Sequence, residues 1–508
     1  MNTISTKKLY IVGMVSLLLG LIFNYLFYNQ LAGISFLIYV ILLCTGLFGF
    51  LFLFKISFNK AGLWFLPVIL FFAAMVGVRE NEFLRFWNIV LTFGFLLLLA
   101  RNTIGFKIRQ YLFFDYLKTI VHLPFNMLGK SFTAFGRMIS SVKISSRKKQ
   151  TSQIVKGILI TLPIALFFFF LFSSADLVFN KFVAGIFNIN FSVNPDVATQ
   201  IWLTLIFTIL WFGAYIYILE NVSSQDNISP IPMVRSYKFG NIEAGILFAT
   251  LSALFLTFVV IQIKYLFAGH DAITKLGYTY AEYAHKGFGE LIAVALLTFS
   301  LIFLAEKYIE RTEDRPSNVF KILTSILVLL ILVIMASAFM RLGIYEQAYG
   351  FTLDRILVQA FIIWLAAVFL WLGCKIIKNV NDRSFIFGLF LSITTFFILF
   401  NLINPDAFVT KQNINQFAKS GVLDTTYLAS LSADAVPRLM SLLEIPGVKD
   451  KDGRELSKEV AIALKSYYEY SSGYSWKSFN VSRYKALQLI EIKWDLILIL
   501  AIPENSAE

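Results

Sequence analysis

The sequence predicts an all-α polytopic integral membrane protein, with about eleven transmembrane helices and a small C-terminal helical domain outside the membrane. Of the 508 residues, 58% are hydrophobic and 15% are charged, whereas soluble domains carry roughly 25% charged residues. The apolar residues come in runs of about 20, the length that crosses about 30 Å of hydrocarbon as a helix. Most runs are apolar on all sides, which indicates contact with lipid.

Eleven runs are predicted as membrane spans. The first is interpreted as a membrane helix and not as a cleavable signal peptide, because it is long and no small-residue cleavage site follows it. After residue 403 the charged residues return, and the late apolar run Leu496–Ile502 is too short to cross. The predicted spans lie near residues 9–28, 31–54, 61–78, 83–100, 154–173, 199–219, 242–267, 288–305, 319–340, 354–374 and 384–402.

Composition divides the chain into four segments. Residues 1–100 are predicted to hold an N-terminal four-helix membrane group, and residues 101–153 a basic amphipathic cytoplasmic segment. Residues 154–403 then form a seven-helix membrane core, and residues 404–508 an extracytoplasmic helical domain.

Capping residues predict short helices in the last segment. Asp424 is placed to cap one helix, and Ser432 or Asp434 to cap another that has Pro437 in its first turn. Two later helices are predicted near residues 455–470 and 482–490.

The distribution of Lys and Arg predicts a cytoplasmic N-terminus. In this orientation 24 of these residues lie in cytoplasmic segments and seven in short outer loops, as the positive-inside rule requires. An odd number of spans then places the C-terminus outside the cytoplasm. The net charge of +13 is explained by this placement, so no nucleic-acid partner is expected. The composition is typical of an AT-rich bacterium and predicts the plasma (inner) membrane.

The segment 101–153 combines basic and large apolar residues. Lys107, Arg109 and Lys118 lie among apolar side chains, Pro124 is expected to interrupt the helix, and the run Arg147-Lys148-Lys149 closes it. Basic amphipathic helices of this kind lie in the headgroup plane of an anionic leaflet. Two interpretations stay open: a linker in contact with anionic lipid, and a docking site for a cytoplasmic partner.

Motifs of soluble catalysis are absent from the sequence. It contains no P-loop, G-x-S-x-G elbow, H-E-x-x-H pair or C-x-x-C pair. The three His and two Cys residues are too few and too scattered to predict a metal site or a disulfide framework. No metal and no cofactor is therefore expected.

Ionisable residues collect at the span ends on the predicted outer side. Charges near hydrocarbon are costly, so each is a candidate for function. Span ends are also where such charges cost least, and where Lys and Arg serve as interfacial anchors. Arg341 with Glu346 or Asp354, and Arg355 with Asp176 or Asp406, would then be structural ion pairs. A polar vestibule beneath an outer helical domain would produce the same pattern.

Six stretches, in this order, match the pattern of a known family: SSADLVF at 173–179, YAEYAHKGFGELIAVALL at 280–297, RLGIYEQAYGFTLDRILVQAFIIWLA at 341–366, NPDAFVTKQNINQF at 404–417, LDTTYLASLSADAVPRL at 423–439 and WKSFNVSRYKAL at 476–487. Across roughly residues 155–490 the chain resembles bacterial membrane proteins of the domain-of-unknown-function 4153/4173 group. The resemblance implies a polytopic membrane protein without an established activity. It singles out the candidate outer-face polar cluster: Asp176, Glu290, Arg341, Tyr345, Tyr349, Arg355, Asn404, Asp406 and Asp434.

Three functions stay open. The first is non-enzymatic sensing, scaffolding or regulation at the outer face, with an envelope partner at 404–508. The second is transport of apolar or lipid-like cargo, because the acid near the midplane that ion-coupled transporters use is missing. The third is an enzyme acting on a lipid-linked substrate, which needs acids in outer loops; Glu80 and Glu82 are the only early ones. The lack of catalytic motifs favours the first.

Overall fold

The computed structural model describes residues 4–141, 195–222, 240–267, 288–309, 311–312, 315–445 and 447–502. Within these residues it holds seventeen α-helices and one antiparallel pair of two-residue strands, β1 (Arg311–Thr312) and β2 (Arg315–Pro316). The predicted all-α class is confirmed.

Ten helices of the described part are long and apolar enough to cross a membrane, and α3 is counted among them with its preceding 3-10 turn Lys60–Trp64. They coincide with ten of the predicted spans; the eleventh, at 154–173, lies outside the described residues. The ten are α1 (Thr6–Phe27), α2 (Ile34–Leu53), α3 (Phe65–Val78), α4 (Glu82–Thr103), α6 (Pro195–Val222), α7 (Asn241–Phe267), α8 (Phe288–Tyr308), α9 (Asn318–Tyr349), α10 (Leu353–Lys378) and α11 (Asp382–Ile403).

The two ends of α1 mark the two faces of the membrane part. Tyr10, near its start, has its hydroxyl 3.5 Å from Ser141 Oγ. Tyr28, just past its end, donates to Asp196 Oδ1 over 2.7 Å. Residues 141 and 195, which flank an undescribed range, therefore lie at opposite faces.

A long amphipathic helix, α5 (Phe113–Ser141), precedes that range. It continues through Pro124, so the predicted interruption is wrong. Proline removes one backbone donor and crowds the carbonyl four residues earlier, but tertiary packing holds α5 together. Ser131 Oγ donates to the Ile209 carbonyl of α6 over 2.6 Å. A Cβ on Gly213 would overlap the Met127 carbonyl, so the two backbones nearly touch.

The membrane helices form two packed groups that meet along α4 and α11. One hydrophobic cluster joins α1, α2, α4, α5 and α6, and another joins α7 to α11. Between them, the side-chain amides of Asn88 and Asn401 donate to each other over 2.9 Å in both directions. A paired amide satisfies its polar groups where no water is available, so this pair fixes how the groups meet.

The remaining helices form the C-terminal domain, which has a hydrophobic cluster of its own around Leu442, Leu456 and Ile490. Asp424 caps the second helix as predicted, accepting from the Tyr427 amide over 2.9 Å. The domain comprises α12 (Pro405–Ser420), α13 (Thr425–Ala429), α14 (Val436–Leu439), the 3-10 turn Met440–Glu444, α15 (Leu456–Ser471), the 3-10 turn Trp476–Ser478, α16 (Val481–Ile492) and α17 (Trp494–Leu500).

The prediction that Ser432 or Asp434 caps α14 is wrong. That helix begins after Ala435 without a side-chain cap, with Pro437 in its first turn. Both side chains are bonded to other groups instead, in the contact between the domain and the membrane helices.

Candidate functional site

The C-terminal domain is fastened to the membrane helices by a buried polar network. Its centre is the three-residue loop Arg79-Glu80-Asn81 between α3 and α4. Three carboxylates carry the network: Glu80 from the loop, and Asp406 and Asp434 from the domain. We call this set the docking network.

Asp434 is almost fully buried and accepts four hydrogen bonds. Its Oδ1 accepts from Arg79 over 3.1 Å, from Asn404 over 2.9 Å and from Ser482 over 2.6 Å. Its Oδ2 accepts from the Glu80 amide over 3.0 Å. A carboxylate offers about four acceptor positions, so the bonds of Asp434 are used within the protein.

Glu80 is held from the other side of the interface. Its Oε1 accepts from Arg483 Nε over 2.6 Å, and its Oε2 accepts from the Tyr467 hydroxyl over 2.8 Å and the Ala433 amide over 2.9 Å. The Arg483 guanidinium also lies 4.1 Å from the centre of the Tyr474 ring. Burial, reinforced by the charge of Glu80, raises the pKa of Tyr467, so this hydroxyl stays a proton donor.

Asp406, in the first turn of α12, links the loop to the segment before α14. Its Oδ1 accepts from Asn81 Nδ2 over 2.9 Å. Its Oδ2 accepts from the Ser432 amide over 3.2 Å and from the Ser432 hydroxyl. Burial raises the pKa of Asp406, against the hydrogen bonds from Ser432 and Asn81, and the nearby charge of Asp434 adds to the increase.

Backbone contacts complete this interface. The Phe479 carbonyl accepts from the Ile34 amide at the start of α2 over 2.9 Å. Asn480 Nδ2 donates to the Arg79 carbonyl over 2.9 Å and to the Val76 carbonyl over 3.3 Å. Carbonyls at the end of α3 thereby find a partner in the domain, as helix ends require when they are buried.

A second group of polar residues surrounds the turn between α9 and α10. The Arg355 guanidinium lies 4.3 Å from the centre of the Tyr345 ring, and the Tyr345 and Tyr349 rings are 4.8 Å apart. Glu346 is buried and accepts from Gln359 over 2.5 Å.

This turn is also bonded to the C-terminal domain. Asn413 of α12 exchanges two hydrogen bonds of 2.8 Å with the backbone of Phe351. The Tyr427 hydroxyl accepts from the Leu353 amide over 2.7 Å. The domain therefore contacts both helix groups of the membrane part.

The nine candidate residues fall into several places. Asn404, Asp406 and Asp434 belong to the docking network. Tyr345, Tyr349 and Arg355 lie together at the α9–α10 turn, and Arg341 is two helical turns earlier on α9. Glu290 lies in the first turn of α8, and Asp176 lies outside the described residues.

Reasoning from sequence missed the other half of the docking network. It counted Arg79 only as an orienting charge and named Glu80 only as an early acid, and it gave no role to Asn81, Ser482 or Arg483. A signal was present, because three consecutive polar residues separate two apolar spans at 79–81. A tight loop at a membrane surface that carries both a positive and a negative side chain indicates that these side chains bond to another part of the protein.

The chemistry of the docking network is that of attachment. Its three carboxylates are each bonded to protein donors, and the side chain of Asp434 is 1% exposed against 16% for its partner Arg79. Among the described residues, no group of three or more His, Cys, Asp or Glu is arranged to hold a metal ion. Breaking a buried pair of this kind leaves an uncompensated charge, at a cost of about 3–5 kcal/mol.

The apolar helices and the docked helical domain define a polytopic α-helical membrane protein. The chain belongs to the family described as a domain of unknown function (DUF4153), whose family model matches residues 65–442. This confirms the family resemblance but shifts its extent, since the match begins at α3 and ends within the 3-10 turn after α14. It thus includes Arg79, Glu80 and Asp434 but not Arg483. Neither a curated protein nor a solved structure matches the chain.

Proposed function

We propose that this protein is a non-enzymatic membrane protein that senses, scaffolds or regulates through its docked C-terminal domain. The observation that carries the proposal is the bonding of Glu80, Asp406 and Asp434 to protein donors. A catalytic acid needs a face open to its substrate, whereas these acids hold two parts of the protein together. A domain attached through carboxylates, whose charge depends on protonation and on their partners, is suited to change its attachment when a partner binds.

In this proposal the domain faces the outside of the plasma membrane and the N-terminus faces the cytoplasm. The loops at residues 29–33 and 79–81 contact the domain, so all three lie on one face. The excess of Lys and Arg in the opposite segments supports the orientation. An alkaline phosphatase fused after residue 508 should be active, and a green fluorescent protein fused there should not fluoresce. The reverse result would show that the domain faces the cytoplasm.

The partners we propose differ between the two faces. At the outer face, an envelope partner would bind the C-terminal domain. At the inner face, α5 exposes Lys118 and His122 beside an exposed apolar surface that includes Phe125 and Phe132. Such a helix is suited to an anionic leaflet, which favours anionic lipid over a cytoplasmic protein for this segment.

A complementation experiment separates regulation from catalysis. A cell lacking the protein receives wild-type protein, Asp406→Ala or Asp434→Ala, and its phenotype is compared with domain attachment measured by protease sensitivity. Regulation predicts that loss of function follows loss of attachment in both variants. An enzyme predicts that one variant is inactive while its domain stays attached and its expression is normal.

A second function, the handling of apolar or lipid-like cargo, is favoured by a separate observation. An apolar cavity lies among α2, α4, α5 and α6. Uptake and efflux of apolar compounds, compared between cells with and without the protein, would test transport. Equal fluxes would leave the cavity a binding site only.

A further inference from the structure

The membrane part holds an apolar cavity of about 380 Å³. Leu43 and Leu47 of α2 and Leu96 of α4 form part of its wall, and Trp211 and Ala214 of α6 form another part. Pro124 and Met127 of α5 complete it. The cavity therefore lies between three spans and the amphipathic helix.

The polar groups of the wall are bonded elsewhere. Trp211 Nε1 donates to the Tyr39 hydroxyl over 2.7 Å, and the Tyr215 hydroxyl donates to the Leu43 carbonyl over 2.9 Å. The rest of the wall is aliphatic and aromatic apart from the thiol of Cys44. Water needs two to four polar partners to occupy a buried site, so this wall is suited to hydrocarbon and not to water.

The cavity lies in the half of the spans nearer to the N-terminal end of α1. Its wall includes residues 93–100 in the second half of α4 and residues 207–218 in the second half of α6. Basic side chains are close by in the chain, since Arg101 follows the wall residue Ala100 and Lys118 is on α5 before Pro124. Hydrocarbon lies beside the cavity, and headgroups lie at the level of these basic residues.

The volume of the cavity is sufficient for an apolar ligand larger than benzene. An apolar cavity of roughly 150 Å³ binds benzene, and ligand sites range over about 300–1,000 Å³. The acyl chains of the surrounding bilayer are the apolar groups within reach of a site between spans. Dispersion contacts with a close-packed wall favour the bound chain, since transfer between two apolar surroundings gains no hydrophobic energy.

We propose that this cavity is a binding site for one acyl chain of a membrane phospholipid, held between α2, α4 and α6 and covered by α5. The site is distinct from the docking network and independent of the sensing or regulatory function proposed first, and it names an occupant for the cavity on which the second proposed function rests. Because α5 also contacts α11 through Tyr116 and Phe390, whose rings are 5.0 Å apart, the bound chain supports the position of the helix that joins the two membrane groups.

The test is native mass spectrometry of the full-length protein purified in mild detergent. Ala214→Phe places a ring in the cavity, and Ala253→Phe places the same ring on an exposed position of α7. The delipidated proteins are incubated with micelles that contain phosphatidylglycerol, and their masses are then measured. Wild type and Ala253→Phe should retain one phospholipid, and Ala214→Phe should lose most of it, because the ring fills space that the acyl chain needs.

Thermal unfolding establishes that each variant is folded, and Leu96→Trp, from the opposite wall, replaces Ala214→Phe if the latter does not fold. Equal phospholipid retention by the cavity-filling variant and the Ala253→Phe control would overturn the proposal. So would retention of a free fatty acid or an isoprenoid in place of the phospholipid.

Discussion

Arg483 donates from Nε to Oε1 of Glu80 over 2.6 Å and so joins two residues that are 403 positions apart. Both side chains are largely buried, at 7% and 13% exposure. The contact fastens α16 of the C-terminal domain to the loop between α3 and α4. Its strength therefore bears on domain attachment and not on the stability of either part alone.

Removing the guanidinium should release the domain. Arg483→Ala leaves the Glu80 charge buried with one partner fewer, which we expect to cost about 3–5 kcal/mol of attachment. Hydrogen exchange of the α15 and α16 amides should then rise. Lys493→Ala is the matched control, because its pair with Glu444 is at the surface and surface pairs contribute little. Equal exchange in the two variants would show that the buried pair has no special role.

The acceptor role of Asp434 should be sensitive even to an isosteric change. Asp434→Asn replaces one carboxylate oxygen by an amide NH2 group, which would point at the groups that now donate to Asp434. A buried donor left without a partner costs about 1–3 kcal/mol. We expect faster proteolysis of residues 404–502 while the membrane helices remain protected. Asp495→Asn, at an exposed position of α17, should leave the digestion rate unchanged. If both variants resist protease as wild type does, Asp434 does not hold the domain.

Gly33 should be essential for the close packing of the domain against the start of α2. A Cβ there would lie 2.7 Å from the Ser478 carbonyl carbon, whereas a Cβ on Gly473 would meet nothing within 4 Å. Gly33→Ala is therefore expected to raise hydrogen exchange at Ile34, whose amide donates to the Phe479 carbonyl. Gly473→Ala serves as the control. Unchanged exchange at Ile34 in the Gly33 variant would contradict the close approach.

Gly20 allows α1 and α6 to pack closely. A Cβ on Gly20 would overlap Thr208 Oγ1 and the Thr204 carbonyl, and a Cβ on Gly49 would meet open space. Small residues let membrane helices approach, and overpacking costs about 1–3 kcal/mol. Gly20→Ala should lower the midpoint of thermal unfolding in detergent, and Gly49→Ala should not. Equal midpoints would mean that the helices adjust without cost.

The raised pKa of Asp406 makes domain attachment depend on pH. A carboxyl whose pKa is higher in the folded state than in the unfolded state stabilises the folded state fully at pH values below its unfolded pKa, which is about 3.9 for Asp. This contribution is lost as the pH rises through the folded value. The free energy of attachment of wild type relative to Asp406→Asn should therefore be largest at low pH. A difference that grows as the pH rises would reverse the sign that burial predicts.

The positions of the spans could be predicted because the bilayer acts locally on the chain. Each span must satisfy its backbone within itself and present about 20 apolar residues to lipid. Leu9 and Leu26 thus identify α1 whatever that helix packs against. The end of the membrane part at Asn404 followed from the same rule. The short helices that Asp424 and Pro437 introduce followed from another local rule, the preference of these residues for the start of a helix.

The candidate site could be predicted only in part. Asn404 and Asp406 stood out as polar residues beside a span, and Asp434 stood out because the resemblance to the family singled it out. Their partners Arg79 and Asn81 did not stand out, because a charged loop between two spans is also typical of an interfacial anchor.

The sequence by itself determined that this is a multi-span helical membrane protein, and where its described spans lie. Only the tertiary structure decided that α6 packs on α1, that Asn88 pairs with Asn401 and that Glu80 receives Arg483. The physical reason is range. Contact with lipid selects residues one span at a time, whereas a buried polar group finds its partner only when distant segments are brought within about 3 Å.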